Sequence, residues 1–385
     1  MHSTMRAALR TSRLLARPAW RTPRRGHASA ARCVDASPKD AKRAAAAARR
    51  MEADAKTTAA ELEARRASAE SASPSPRALR NLTRLSAYAT HGDSIKGFFE
   101  PGLLRLYLEL DAVHESRGVR GALVEIGVFH GKSFMPLALL RQPGERCVAI
   151  DCFEDQSANT DRSGEGDAVA FRKNVDATMR ACCDGERDLF AREDWLAVLE
   201  TDSTLLADDA SLLFRAAAGS PVRLFSIDGC HTAEATAADL RVASNAMHPE
   251  GVVVLDDAFN PDWPGVVTGL FDWRRDVQNS TLAKKTLYPI AANDVSRRGG
   301  PNDVADGIGV SNGWNDVGLE PFAIGFGKVF LCRPAVRDAY FARFKHVDEE
   351  RGNASGAGAR KTAEFMSREC AVFRHGWIST FHGNE

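Results

Sequence analysis

Two short apolar runs end in acid. One reads Ser226-Ile-Asp228-Gly-Cys-His231, the other Leu255-Asp256-Asp257. Three carboxylates and an imidazole gathered at neighbouring strand ends would repel one another and resist burial unless a cation joined them. Oxygen donors with open positions suit a hard ion such as Mg²⁺, which keeps its waters and leaves room for substrate oxygens. Asp228, Asp256 and Asp257 are therefore candidate metal ligands. His231 and Asp228 are the candidate catalytic pair, the imidazole serving as general base because its reference pKa of about 6.5 lies near working pH. Taken singly, each residue has a plainer use: Asp256 and Asp257 as helix caps, His231 as a first-turn helix residue.

Three further strand ends carry polar chemistry. The first reads Glu125-Ile-Gly127-Val-Phe-His130-Gly131-Lys-Ser133. Gly127 and Gly131 allow a tight turn and close backbone approach to a ligand, and the helix that follows offers free N–H groups. The spacing is not the GxGxxG of dinucleotide-binding dehydrogenases, and Glu125 would repel a pyrophosphate while suiting a sulfonium cation. The second strand ends in Asp151, placed to accept both hydroxyls of a ribose. The third leads into Glu200-Thr-Asp202-Ser203, where Asp202 could accept from an adenine amino group or cap the next helix. Glu125, Gly127, His130, Gly131, Ser133, Asp151, Asp202 and Asp228 make up the candidate cofactor-binding set.

Positioning these residues requires strands that alternate with helices. Strands are expected at Ala122–Ile126, Arg146–Ile150, Leu196–Leu199, Val222–Ile227 and Val252–Leu255, from their short β-branched and aliphatic runs. Helical periodicity falls between them, at Ser133–Leu140, Asp167–Met179, Ser203–Arg215, Thr232–Ala246 and a Trp-rich stretch through Trp273. Two strand-like pieces, Phe322–Ile324 and Lys328–Leu331, suit an antiparallel hairpin. The fold class is thus α/β: a Rossmann-like, seven-stranded, mostly parallel sheet with helices on both faces and a terminal hairpin. In such sheets ligands bind beyond the carboxyl ends of the strands, where the acids lie.

The flanks differ from this core. Residues 1–34 hold no acid but repeat Arg at helical spacing (Arg6, Arg10, Arg13, Arg17), the pattern of an organelle transit peptide. Mitochondrial import is favoured by the arginine density, with plastid or cytoplasm as alternatives and a polyanion-binding tail as the plainer reading. Residues 35–76 form an arm rich in Ala, Glu and Arg, read as a solvated helix or disorder, and a Ser-Pro linker. The α/β core would span 77–346, leaving 347–385 as an extension with Phe373, Trp377 and Phe381 packing back. A Gly/Asn/Asp-rich segment, 292–316, reads as a long functional loop. Phe98-Phe99 and Gly307–Gly313 are candidate lids.

The 51 basic and 51 acidic residues cancel, so no net field recruits nucleic acid. No run approaches the roughly 18 apolar residues of a membrane span. The eight cysteines are scattered rather than spaced as a disulfide or zinc framework.

The stretch from Ser226 to Leu240, then His248-Pro-Glu-Gly to Asp257, then Trp263-Pro-Gly-Val266, resembles class I S-adenosylmethionine-dependent methyltransferases. Within them it is similar to the small-molecule O-methyltransferases of the macrocin and cephalosporin-biosynthesis type. With Glu125 to Ser133 and Asp151, the resemblance covers about residues 98–331. It implies S-adenosylmethionine over Gly127 and Gly131, with its ribose on Asp151. It also implies a metal, Mg²⁺, on Asp228, Asp256 and Asp257, and His231 as the base for a small-molecule or sugar hydroxyl acceptor. The catechol-type lysine beside the metal has no counterpart that the sequence identifies. A nicotinamide oxidoreductase and a non-catalytic scaffold are the rival readings; a homo-oligomer is left open.

Overall fold

The computed structural model describes residues 38–72, 74–157, 159–161, 164–183, 194–207, 211–279, 318–347 and 362–373. The 1–34 segment, the 292–316 loop with its glycines, Trp377 and Phe381 lie outside them. The chain divides into two units, Met1–Ala46 and Ala47–Glu385. In the first, the described residues are helical and belong to α1 (Pro38–Ala72).

The second unit holds a sheet of β1 (Ala122–Ile126), β2 (Cys147–Asp151), β3 (Leu196–Glu200), β4 (Val222–Ile227), β5 (Met247–Leu255), β6 (Glu320–Gly325), β7 (Lys328–Cys332), β8 (Thr362–Phe365) and β9 (Arg368–Phe373). Their spatial order is 3-2-1-4-5-7-6-9-8 among the described residues. The first five strands run parallel, β7 is antiparallel to β5, and β6 is antiparallel to β7. This is the Rossmann-like α/β architecture with its closing hairpin. It is extended beyond seven strands by β8 and β9, a second hairpin whose β9 runs parallel to β6. The extra pair was hidden because its strands are short and carry charged residues, Glu364, Arg368 and Glu369, in place of an apolar run.

Alternation explains why both faces are covered. Leu123, Val252 and Val254 point into one apolar cluster, while Val124, Ile126, Val253 and Leu255 point into the other. The first cluster is closed by α2 (Pro76–His91), α3 (Leu103–Ser116), α5 (Ala168–Cys182) and α9 (Pro334–His346), following the short α4 (Phe134–Leu139). The second is closed by α6 (Ser211–Ala216), α7 (Ala233–Ala246) and α8 (Pro264–Asn279). Each such side chain, fully buried, contributes about 1.5–3 kcal/mol, so strands of continuous aliphatic residues suit only a two-sided sheet. Phe373 meets Phe344 edge-on at 5.8 Å, joining the last strand to the first cluster.

Local signals set the helix starts. Ser75 caps α2 by accepting from the Ala78 N–H, and Pro76 takes the first turn, so the Ser-Pro linker doubles as a helix start. Asp167 and Thr232 cap α5 and α7 in the same way. One expectation shifts. The arm is helical but not simply solvated: Ala55, Thr58 and Leu62 are buried, and Arg65 reaches the buried Glu109 at 2.8 Å. A three-residue stripe with a single large apolar side chain, Leu62, is too faint to read as a hydrophobic face. The segment expected as one helix over 203–215 is a 3₁₀ turn, Ser203–Ala207, and then α6.

Candidate functional site

The strand order reverses between β1 and β4, so their carboxyl ends open a crevice between them. Here lies a cavity of about 910 Å³, near the upper end of the usual range for ligand pockets. Gly127, Ser133, Asp151, Asp202, Asp228 and His231 line it, together with Asp256 and Asp257.

The glycine loop comes directly off β1. Gly127 has φ +81°, and a Cβ there would fall 1.8 Å from the Asp228 carbonyl oxygen, so only glycine lets the two strand ends approach. Gly131, at φ +94°, turns the chain into α4 against the Phe171 ring. Asp151 braces this loop: its Oδ2 accepts from the Phe129 N–H at 2.7 Å and its Oδ1 from the Phe153 N–H at 2.6 Å. Burial pushes its carboxyl above the ordinary value, and the backbone donors pull it back. One lone pair per oxygen remains for a ligand facing the cavity.

Glu125, His130 and Gly131 stand behind the lining. Glu125 is wholly buried and accepts from the Ser226 hydroxyl at 2.9 Å, as the pairing of Glu125 with Ser226 in the β1–β4 ladder dictates. Burial, reinforced by the charge of Asp228, pushes its carboxyl up to about 8. His130 packs edge-on to Phe129 at 4.2 Å and its carbonyl accepts from Asn174, a structural duty. Asp202 faces the cavity while its Oδ1 accepts from the Thr204 N–H and hydroxyl, so both readings of this residue have a physical basis.

The acids beyond β4 and β5 divide into two groups. Asp228, His231 and Asp257 each offer a ligand atom within 4.8 Å of the others. His231 Nε2 lies 3.1 Å from Asp257 Oδ2 and 3.8 Å from Asp228 Oδ1, yet it has no hydrogen-bond partner. Asp257 reaches this position through a positive φ of 54°, a conformation Asp tolerates better than most residues. Asp256 turns elsewhere. Its carboxylate pairs with the Lys328 ammonium, as follows when Leu255 faces Val329 across the antiparallel β5–β7 pair. Burial opposes the charge on Lys328, but Asp256 and Asp228 outweigh it and hold the ammonium above its ordinary range.

Asp161, from the loop between β2 and α5, completes the cluster. Its Oδ2 accepts from the His231 backbone N–H and lies 2.9 Å from His231 Nδ1. Trp263 stacks on the imidazole at 4.6 Å and 17°. Burial would depress the imidazole, but Asp228 and Asp257 overcome it and push its pKa up to about 10. The imidazole thus stands between two sets of carboxylates, Nδ1 toward Asp161 and Nε2 toward Asp228 and Asp257. The sequence reading had missed Asp161 and Lys328. Asp161 sits in a polar loop without period, and Lys328 is 72 residues from its partner. The two phenylalanines also part company: Phe99 is buried against Tyr88 and Tyr107, while Phe98 is 89 % exposed at the cavity.

Comparison with known proteins puts this geometry in context. Residues 124–258 match a family model described as a methyltransferase domain. No curated protein matches the chain. Similar solved structures include a TDP-rhamnose 3′-O-methyltransferase of calicheamicin biosynthesis, 21% identical, with 44% of this chain and 69% of that one covered and a TM-score of 0.33. Another is the O-methyltransferase NovP, 14% identical, covering 60% and 80% at 0.35. A third is the mycinamycin-pathway methyltransferase MycE in complex with Mg and SAH, 15% identical, covering 65% and 54% at 0.33.

Proposed function

We propose that this chain, in which residues 124–258 match a methyltransferase-domain model, transfers a methyl group from S-adenosylmethionine to a hydroxyl of a small molecule or sugar, assisted by a divalent cation. One observation carries the reading: the glycine loop, Asp151 and the Asp228–His231–Asp257 trio all face a single cavity at the carboxyl edge of the sheet.

The donor set fits both groups. Gly127 lets the β1 and β4 ends come together at the cavity, and Asp151 lines it with carboxylate oxygens that can accept from a ribose. The buried, unpartnered Nε2 of His231 beside two carboxylates fits a cation. Bound there, the cofactor supplies an electrophilic methyl on sulfonium. The ion, Mg²⁺ if oxygen donors alone chose it, supplies Lewis acidity that makes the acceptor hydroxyl easier to deprotonate.

The protein does the rest by positioning. The β1 loop and Asp151 fix the cofactor's orientation, and Asp202 with Ser203 bounds its far end. Asp228 and Asp257 would hold the ion beside the acceptor, and their sharing one cavity with the glycine loop is what would bring nucleophile and methyl into line. With the hydroxyl acidified, the cavity carboxylates and water suffice as proton acceptors. Phe98 lies over the mouth and limits water entry. The same reading assigns residues 1–34 to import into an organelle, the mitochondrion first; a fluorescent protein fused to them should enter it, and a diffuse fusion would reject that assignment.

Thermal denaturation with added ligand tests the enzyme reading. Adenosylhomocysteine should raise the Tm and NAD should not. Protection by NAD alone would reject methyl transfer in favour of hydride chemistry.

A further inference from the structure

We infer that the cation site is a mixed nitrogen–oxygen set, Asp228–His231–Asp257, oriented by Asp161 and selective for a transition-metal ion over magnesium, with Asp256 withdrawn from it by Lys328. The inference deepens the proposed function and rests on it.

Two observations exclude Asp256. Its carboxylate is engaged by an ammonium that is only 5% exposed, and that ammonium's charge repels a second cation placed close by. It is also absent from the group whose ligand atoms lie within 4.8 Å of one another, where His231 stands instead.

Three observations make His231 a ligand. Its side chain is 9% exposed, and Nε2 lies within ion-pair distance of two carboxylates without the alignment of a hydrogen bond to either. A nitrogen so placed is directed at the space between the oxygens. Asp161, which only accepts, holds the proton on Nδ1 and leaves the Nε2 lone pair for a metal. Metal-bound histidines commonly donate their second N–H to a carboxylate in this way, which fixes ring orientation and raises basicity. The stacked Trp263 restrains the ring further.

The ligand type then selects the ion. Imidazole suits iron-to-zinc ions better than magnesium, which prefers oxygen and parts with water reluctantly, and manganese, first in the divalent series, shows the preference at its weakest. Replacing a carboxylate by an imidazole also lowers the site's negative charge, which weakens its hold on a hard ion most.

Titration of the adenosylhomocysteine-bound protein with Mn²⁺, read by loss of the free-ion electron paramagnetic resonance signal and repeated with Mg²⁺ as competitor, tests this. Mn²⁺ should bind at least about tenfold more tightly than Mg²⁺. His231→Ala should weaken Mn²⁺ by about ten- to a hundredfold, and Asp161→Asn by about tenfold. The oxygen donor of His231→Gln should narrow the Mn²⁺-to-Mg²⁺ ratio, a readout insensitive to modest loss of folded protein. The double variant Asp256→Asn/Lys328→Met, which leaves no charge unpaired, should keep Mn²⁺ affinity within about twofold. The inference is overturned if the double variant loses Mn²⁺ while His231→Ala keeps it, or if His231→Gln leaves the ratio unchanged. Calorimetric binding of adenosylhomocysteine to the same samples separates the two levels. Cofactor binding without any bound ion defeats this inference alone, and absence of both defeats the enzyme reading as well.

Discussion

The two ends of β4 each carry charge, five positions apart, and they treat it in opposite ways. At the amino end, Arg223 is wholly buried and every direction of its guanidinium is met. It donates to Glu145 through Nε and Nη2, to Asp111 through Nη1 and to the Leu140 carbonyl, with contacts between 2.9 and 3.0 Å. His114 Nδ1 lies 3.1 Å from the same guanidinium, and burial, aided by Arg223, holds that imidazole well below its ordinary pKa. At the carboxyl end, Asp228 joins Asp257 around a histidine whose Nε2 has no hydrogen-bond partner. One cluster answers all of its charges, though the uncharged His114 keeps a buried Nε2 without a hydrogen-bond partner. The other is left incomplete beside a cavity. Charges that satisfy one another serve the fold, whereas charges left needing a partner mark where a ligand belongs.

Breaking the closed end should cost the most stability. Arg223→Met takes the shared cation from two buried carboxylates, leaving Asp111 to Arg77 and Glu145 to Arg120, so a loss of about 3 kcal/mol, the low end for a broken buried pair, is expected in urea denaturation. Turnover per folded molecule should hold. A loss below about 1 kcal/mol would mean that the network is not the clamp it resembles.

At the open end the outcome should invert. Asp228→Asn should lower kcat by about 10²–10³-fold while the urea midpoint stays level, since the lost contact with His231 is offset by relief of repulsion with Asp256 and Glu125. An equal fall in stability and activity would erase the contrast between the two ends.

Asp239 in α7 sharpens the comparison through pH. Burial pushes its carboxyl from an ordinary 3.8 up to about 7, against a partial pull from the Ser203 hydroxyl. A raised folded pKa means the native state holds the proton more tightly. Its stabilisation is therefore complete below the ordinary value and is lost as pH rises through about 7. Asp239→Asn should match the wild type near pH 4 and exceed it at pH 8 by on the order of 1–3 kcal/mol. Parallel stability curves would show that Asp239 keeps its charge in the fold.

The smallest effect belongs to Phe98. Being 89% exposed, its truncation to alanine should leave stability unchanged and raise KM by a few-fold, roughly 1 kcal/mol of lost contact with bound acceptor. An unchanged KM would remove it from the cavity mouth's function.

Much of this was legible in the residues. Aliphatic runs at Ala122, Val222 and Val252 announced strands because burial on both faces demands it, and the acids closing them had no role in a core. Asp167 and Thr232 announced helix starts because capping is local chemistry, whereas Pro76, read as linker, opens α2. The β8–β9 hairpin and the buried stripe of α1 were not legible, since charged strands and a single large apolar residue, Leu62, leave no period to count.

The sequence by itself therefore determined the sheet, the crevice at its carboxyl edge and the kinds of group that gather there. Only the tertiary structure decided how those groups pair: Asp256 with Lys328, and His231 with Asp161, Asp228 and Asp257. The reason is physical. Strand and helix signals depend on neighbours a few residues away, whereas a charge chooses its partner by distance in space. For these residues that distance is set by strand register and by a loop whose composition carries no pattern.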